Sequence, residues 1–398
     1  LIVNNYIKQM SIQYPHLLFR RNWVLSPYAL ILLGQCEAYV QSINNTPILP
    51  QHYRSLMKVA LLKGAQATTA IEGNTLSDEE ITKVMDNIKL PPSKEYQEIE
   101  VRNILNAYNE LLNEIVNSGI DQLISKELLL RFHKMVGKDL GEHFAAIPGK
   151  LREAEVVVGR YRCPDHRDVP ILVDKLCQWL REEFKFGKVD LTFSEVVIQA
   201  IVTHVYIEWI HPFGDGNGRT GRLVEFYILL RGGTPDIASH ILSNYYNSTR
   251  TAYYTQLEKA TETKDLSKFI EYALLGFRDG LVQTLEVIQQ SQFLNTWQKF
   301  IYDKFDSIRE SSQDRVFRRQ RLLALELPLE KEFTVSQVSE LSIALAKVYS
   351  EKGVSGKTMH RDVERLVDLE LLLKTKTGYI ANTAILKSMI AKRKSSNG

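Results

Sequence analysis

The chain of 398 residues has little cysteine, no long apolar run and almost no net charge. Its three cysteines, Cys36, Cys163 and Cys177, are scattered and odd in number. That argues against a disulfide framework or a zinc site and makes a reducing cytoplasm the expected setting. No apolar stretch reads as long enough to cross a bilayer. Residues 28–36 are apolar but short, with Glu37 behind them, and they lack the basic start and small-residue cleavage site of a signal peptide. No membrane partner is expected. Repeats and low-complexity tracts are missing too, apart from a polar tail at 392–398. The formal net charge is +3 but unevenly placed: residues 315–398 carry 16 Lys and Arg against 9 Asp and Glu, a balance of +7, leaving about −4 for the rest. A basic end on a mildly acidic body implies two parts with different partners.

What is present is mostly helical period. Apolar residues recur at three- and four-residue spacing over 27–42, 51–71, 94–116, 125–136, 171–184, 193–209, 222–230 and 266–288. A further helix is expected over 289–309, then a polar linker at 309–315. The clearest β signal of the body is 155–162, where Val156, Val157 and Val158 precede Gly159, so a short hairpin is expected there. Beyond 315 the pattern predicts helices over 318–327, 335–349 and 355–369, a turn at Gly353, and a hairpin over 371–380. The fold class is thus mainly α, with a short hairpin in the body and a smaller C-terminal module. The expected division is 1–120, including a helix at about 51–74; a core over 121–285; a helical linker over 286–314; a module over 315–388; and a tail over 389–398.

The most informative string is HPFGDGNGRTGR, residues 211–222. Pro212 ends the apolar helix before it, since it has no N–H to donate. Gly214, Gly216 and Gly218 form a turn whose backbone can approach a ligand closely. The next helix begins at this turn, so its free amides and dipole make an anion site. Arg219 and Arg222, three apart, project from one face, and two guanidinium forks beside an amide-lined turn suit a polyphosphate. Asp215 places a carboxylate where Mg2+ would bridge phosphate oxygens. His211, with an ordinary pKa of ~6.5, can accept a proton near neutral pH. His204, further up the same helix, reads as a core histidine.

This string resembles the signature of the Fic family, HPFx[D/E]GNGRxxR, at every defined position: His211, Pro212, Phe213, Asp215, Gly216, Asn217, Gly218, Arg219 and Arg222. The looser resemblance spans residues 51–281. It implies a Fic-type helical core and an AMP transferase that uses ATP and Mg2+. His211 would deprotonate the target hydroxyl, Asp215 would hold Mg2+ on the α- and β-phosphates, and Gly216, Asn217 and Gly218 would form the anion hole. Arg219 and Arg222 would take the β- and γ-phosphates, and Phe213 would anchor the loop. AMP would pass to a Ser, Thr or Tyr hydroxyl of a target protein.

A second string, 68–74, reads TTAIEGN. Gly73 and Asn74 are helix-terminating residues, so Glu72 stands at a helix C-terminus and needs a cationic partner. The segment resembles the family's inhibitory motif, [S/T]xxxE[G/N], with Thr68, Glu72 and Gly73 in place. By that resemblance Glu72 pairs with Arg222 and keeps the γ-phosphate from it.

By the same resemblance, Val156, Val157 and Val158 belong to a flap on which the target docks as an added strand. Tyr253 and Tyr254 resemble paired tyrosines near the nucleotide base. The order helix, helix, helix, hairpin of the C-terminal module resembles a winged helix. In a DNA-binding version Lys357, Thr358 and Arg361 would enter the major groove, with Lys374 and Lys376 on the wing; the competing use is protein contact or homodimerisation. The alternative functions are a nucleotide-sensing DNA-bound regulator and an enzyme that removes AMP.

Overall fold

The computed structural model describes residues 13–117, 123–184, 192–308, 315–351 and 354–387. Residues 309–314 of the expected polar linker, Gly353 and the C-terminal tail lie outside them. The chain divides into two compact units, 1–288 and 289–398.

The first unit is helical, as expected. α1 (Pro27–Asn44) starts on Ser26, whose hydroxyl accepts the Ala29 N–H, and α2 (Pro50–Ala70) starts on a proline, where no N–H is needed. α3 (Asp78–Met85) opens with a capping box between Ser77 and Glu80. α4 (Glu95–Leu112), α5 (Lys126–Val136) and α6 (Val169–Glu183) each bury one apolar stripe. At the centre, α7 (Phe193–Ile210) packs against α8 (Asn217–Arg231), and both are buried on nearly all sides. A helix buried all round has no polar face to show, which is why α7 reads as one apolar block. It corrects the expectation about apolar runs: Phe193–Ile210 is long and apolar enough to cross a membrane by length and composition, and here it lies in the core with 78% of it buried. α9 (Ile241–Ser248) and α10 (Arg250–Thr263) follow.

The hairpin is shorter than 155–162. β1 (Val157–Val158) pairs antiparallel with β2 (Tyr161–Arg162), and Gly159 turns the chain at φ +59. A positive φ at the first turn position is the type II′ arrangement that matches strand twist. Val156 lies just outside the strand, its carbonyl accepting the Cys163 N–H at 3.2 Å.

Residues 289–307 are not a separate helix. α11 runs unbroken from Ser267 to Ser307, with Ile288 in the core of the first unit and Trp297, Ile301 and Phe305 in that of the second. No glycine or proline falls near 289 to stop it. The second unit continues with α12 (Arg315–Leu325), α13 (Ile343–Tyr349), α14 (Gly356–Asp368) and the antiparallel hairpin β3 (Leu372–Lys374) and β4 (Tyr379–Ala381). The single helix expected over 335–349 is instead a 3-10 turn, Val335–Glu340, and then α13, which restarts on Ser342 as its N-cap. The order of helices and hairpin is the one the sequence implied.

Candidate active site

α7 stops at Ile210, and His211 takes the left-handed conformation, φ 49. A side chain there costs on the order of 1 kcal/mol. Arg152 holds it in place. Its Nε donates to the His211 carbonyl at 2.8 Å, and its backbone N–H donates to the Pro212 carbonyl at 2.9 Å. The same guanidinium reaches the carbonyls of Ala154 and Pro164, so the base of the hairpin and the start of the glycine turn share one buried arginine.

The turn is braced from inside. Phe213 is buried, its N–H donates to Asn217 Oδ1, and its carbonyl accepts from Asn217 Nδ2, both at 2.9 Å. The Asn217 side chain therefore serves the loop, while the first-turn amides of α8 remain without intrahelical acceptors. Gly216 caps that helix at φ +76, and a Cβ there would strike the Phe144 ring.

Glu72 Oε1 lies beside Gly218, in the first turn of this helix. α2 ends in a Schellman turn: the Gly73 N–H returns to the Ala70 carbonyl and the Asn74 N–H to the Thr69 carbonyl, with Gly73 at φ +101. The turn aims Glu72 at Arg222, whose Nη2 donates to Glu72 Oε1 at 2.5 Å. Arg222 Nε donates to Thr68 Oγ1 at 2.8 Å and Nη2 to the Thr68 carbonyl at 2.9 Å. A Cβ on Gly218 would collide with Glu72 Oε1 and lie 3.0 Å from Arg222 Nη1, so carboxylate and guanidinium meet above the glycine. Burial pushes the Glu72 carboxyl up, but the charge and bond of Arg222, then Arg219 and His211, outweigh it and hold it below its ordinary value. Arg222 is 1% exposed, and its Nη1 has no partner.

Arg219 is buried as well, bound by Glu100 through Nη1 and by Asp215 Oδ1 at 2.9 Å through Nη2. Asp215 Oδ1 also accepts the Gly216 N–H at 2.5 Å, whereas Oδ2 accepts only the Ala145 N–H at 3.3 Å. Oδ2 is thus a weakly held hard oxygen beside the turn, which fits a Mg2+ that takes one carboxylate and otherwise phosphate oxygens and water.

His211 is partly exposed. Burial pushes its pKa down to about 4, against the raising effect of the Glu208 carbonyl; Arg152 lowers it further, and Glu72 and Asp215 oppose. The imidazole is neutral at pH 7, and its buried Nδ1 has no partner. Glu208, on the last turn of α7, is pushed up to about 7 by burial and then by the Glu72 charge.

Three contributors had no local sequence signal. His133, on α5, stacks on Phe213 and donates from Nε2 to the Asp215 carbonyl at 3.0 Å, while its Nδ1 accepts the Gly149 N–H at 3.0 Å. Burial pushes its pKa to about 4, which leaves the neutral form with the proton on Nε2. Arg152 and Glu100 are the others. Each stands 59 to 119 residues from its partner in the glycine loop, so no spacing rule reaches it.

The other expected residues are placed as follows. Val157 and Val158 are exposed on the hairpin, and Val156 is half-buried. Tyr253 is buried with its hydroxyl 2.8 Å from His204 Nε2, so only Tyr254, 44% exposed, offers ring surface. The Tyr254 hydroxyl donates to the Ile71 carbonyl at 3.3 Å. His204 is a core residue, as read. In the second unit Lys357 and Arg361 are exposed, but Thr358 is buried in the capping box of α14 with Ser355 and is not available to a groove.

Residues 123–229 match the Fic/DOC family. The chain is 29% identical over 219 residues to protein adenylyltransferase fic-1 of Caenorhabditis elegans, covering 55% of this chain and 40% of that protein. It is 29% identical over 215 residues to protein adenylyltransferase Fic of Culex quinquefasciatus, covering 54% and 40%. The chain thus spans about two fifths of the length of these curated relatives. Among solved structures, a Fic family protein from Desulfovibrio desulfuricans G20 superposes with a TM-score of 0.55 at 21% identity, over 90% of this chain and 94% of that one. Fic-1 of C. elegans superposes with a TM-score of 0.55 at 24% identity, over 66% and 73%; at these identities the likeness is one of fold. The glycine loop and both of its arginines lie inside the segment that matches the Fic/DOC family.

Proposed function

We propose that the protein transfers AMP from ATP to a hydroxyl side chain of a target protein, and that Glu72 holds it inactive. The names of its curated relatives support the transfer. The observation that carries the regulation is the Glu72 carboxylate bonded to Arg222 over Gly218.

The target hydroxyl oxygen attacks the α-phosphorus of ATP, its proton goes to the neutral His211 imidazole, the bond from the α-phosphorus to the bridging oxygen breaks, and pyrophosphate leaves. The amides of Gly218 and Arg219 would face the phosphates, Arg222 Nη1 would supply a further donor, and Asp215 would hold Mg2+, whose charge would offset that of the phosphates. Glu72 occupies this place with a negative charge, so it excludes a polyphosphate both by volume and by repulsion. The exposed Val157–Val158 edge supports docking of an extended target segment by strand addition. In the second unit, exposed Lys357 and Arg361, with Lys374 and Lys376 on the hairpin, support binding of the nucleic-acid backbone, which heparin retention at graded salt tests.

Incubation with ATP labelled at the α-phosphate tests the main reading. Glu72→Gly should label itself or added protein well above the wild type, and His211→Ala in that background should not. Equal labelling by wild type and Glu72→Gly defeats the autoinhibition; no transfer by Glu72→Gly to any protein defeats the transferase.

A further inference from the structure

The two motif arginines are both held by carboxylates from the N-terminal helices, and the two attachments converge. Glu100 Oε1 takes Arg219 Nη1, while Glu100 Oε2 accepts Asn74 Nδ2 at 3.0 Å. Asn74 lies two residues after Glu72 in the same Schellman turn. Its side chain also donates to the Gln97 carbonyl at 3.0 Å and accepts the Leu76 N–H at 3.1 Å. Glu100, Asn74 and Arg219 are all buried, at 6%, 9% and 3% exposure. Tyr96, on the same helix as Glu100, is a hydrogen-bond partner of that carboxylate and lies within its electrostatic reach together with Asp215.

We propose that Glu100 is a positioning residue with two connected tasks: it aims Arg219 at the phosphate site, and through Asn74 it pins the inhibitory turn. This rests on the transferase reading and extends it. A guanidinium with rotamer freedom binds phosphate less well than one already aimed, and Glu100 with Asp215 fixes two of the three Arg219 nitrogens while Nε stays buried without a partner. The turn that carries Glu72 is therefore anchored twice, once by Glu72 on Arg222 and once by Asn74 on Glu100. Moving Glu72 off Arg222 while Asn74 stays bound would bend the turn across two residues, so release requires the second bond to give as well. The inhibitory segment then senses Arg219 in addition to Arg222.

The tests separate the two tasks. In the Glu72→Gly background, Glu100→Gln should raise KM for ATP about tenfold with kcat within about threefold, because the neutral amide holds a guanidinium less firmly. Glu100→Asp should recover part of that. In the otherwise wild-type chain, Asn74→Ala should raise labelling several-fold, to a level below Glu72→Gly. Equilibrium dialysis with labelled ATP and Mg2+ reads the first task without any reaction, so it decides even if Glu72→Gly transfers nothing. A Glu100→Gln protein that binds ATP as Glu72→Gly does, or an Asn74→Ala protein that labels no more than wild type, overturns the proposal. Active Glu72→Gly with either result sinks only this inference, whereas inactive Glu72→Gly with normal ATP binding sinks the transferase reading.

Discussion

The imidazole of His133 lies flat against the ring of Phe213, with centroids 3.8 Å apart and planes 8° from parallel. It joins a helix some eighty residues upstream to the first turn of the glycine loop, and its Nε2–H fixes the Asp215 carbonyl. The loop is therefore a surface feature resting on a core contact. His133→Ala in the Glu72→Gly background should cut transfer by roughly tenfold to a hundredfold, the scale of a reacting group displaced by about 1 Å. It should also cost about 3 kcal/mol of stability, from the lost ring and its hydrogen bonds. Labelling rates and denaturant midpoints check this; unchanged labelling would show that the loop holds itself.

Thr68 shares Arg222 with Glu72, and its hydroxyl accepts the Nε–H at 2.8 Å. Thr68→Val keeps the shape and removes the acceptor, leaving a buried donor unpaired at a cost of about 1–3 kcal/mol. A guanidinium free to rotate pairs less well with Glu72, so labelling should rise several-fold over wild type while staying below Glu72→Gly. Labelling at the wild-type level would assign the latch to Glu72 alone.

Stability should depend on pH with a maximum near 6.5. Burial pushes His16, His133, His211 and His240 down to about 4 and His204 to about 3. The unfolded chain then takes up protons below its ordinary histidine value of ~6.5 while the folded chain does not, so this stability is full above that pH and is lost as pH falls toward 4. Burial acts oppositely on Glu208 and Glu225, which it pushes up to about 7 and 8. Their contribution is full below the ordinary carboxyl value of ~4.3 and is lost as pH rises through 7 and 8. Five histidines outweigh two carboxyls on the acid side, and only the carboxyls act on the alkaline side. Urea midpoints from pH 5 to 8.5 measure both limbs. Glu225→Gln, a neutral isostere that can still accept from Tyr246, should flatten the alkaline limb; an unaltered limb there would contradict the assignment.

Asp362 holds the second unit together. It accepts from Arg319 Nε at 2.6 Å, Gln320 Nε2 at 2.9 Å and the Tyr349 hydroxyl at 3.0 Å, with Arg319 and Asp362 both buried. Read along the sequence it dilutes a basic face, but it points inward and leaves Lys357 and Arg361 on the surface. Asp362→Ala strands a buried guanidinium and should cost the second unit about 3–5 kcal/mol. Faster amide exchange in α12 and α14 is the readout, and unchanged exchange would refute it.

How much could be read in advance follows from the separation of the parts. The glycine loop, its histidine and both arginines fall within twelve consecutive residues, so one helix–turn–helix corner presents them together and the string alone announces the site. Thr68, Glu72 and Gly73 are equally local, because a Schellman turn is built from its own residues. Boundaries shifted elsewhere: no glycine or proline in 285–295 stops α11, which runs on through the division that the pattern suggested, and Ser342 cut an apparently single helix into two pieces.

By itself, then, the sequence determined the mainly helical class, the phosphate-binding corner and the acidic turn that could oppose it, since each depends on residues a few positions apart. Only the tertiary structure decided that the Glu72–Arg222 pair meets above Gly218, that Tyr253 is sealed in the core, and that His133, Arg152 and Glu100 hold the loop. Those contacts join positions 49 to 150 residues apart, and packing of the central helices, rather than any local propensity, brings them within bonding distance.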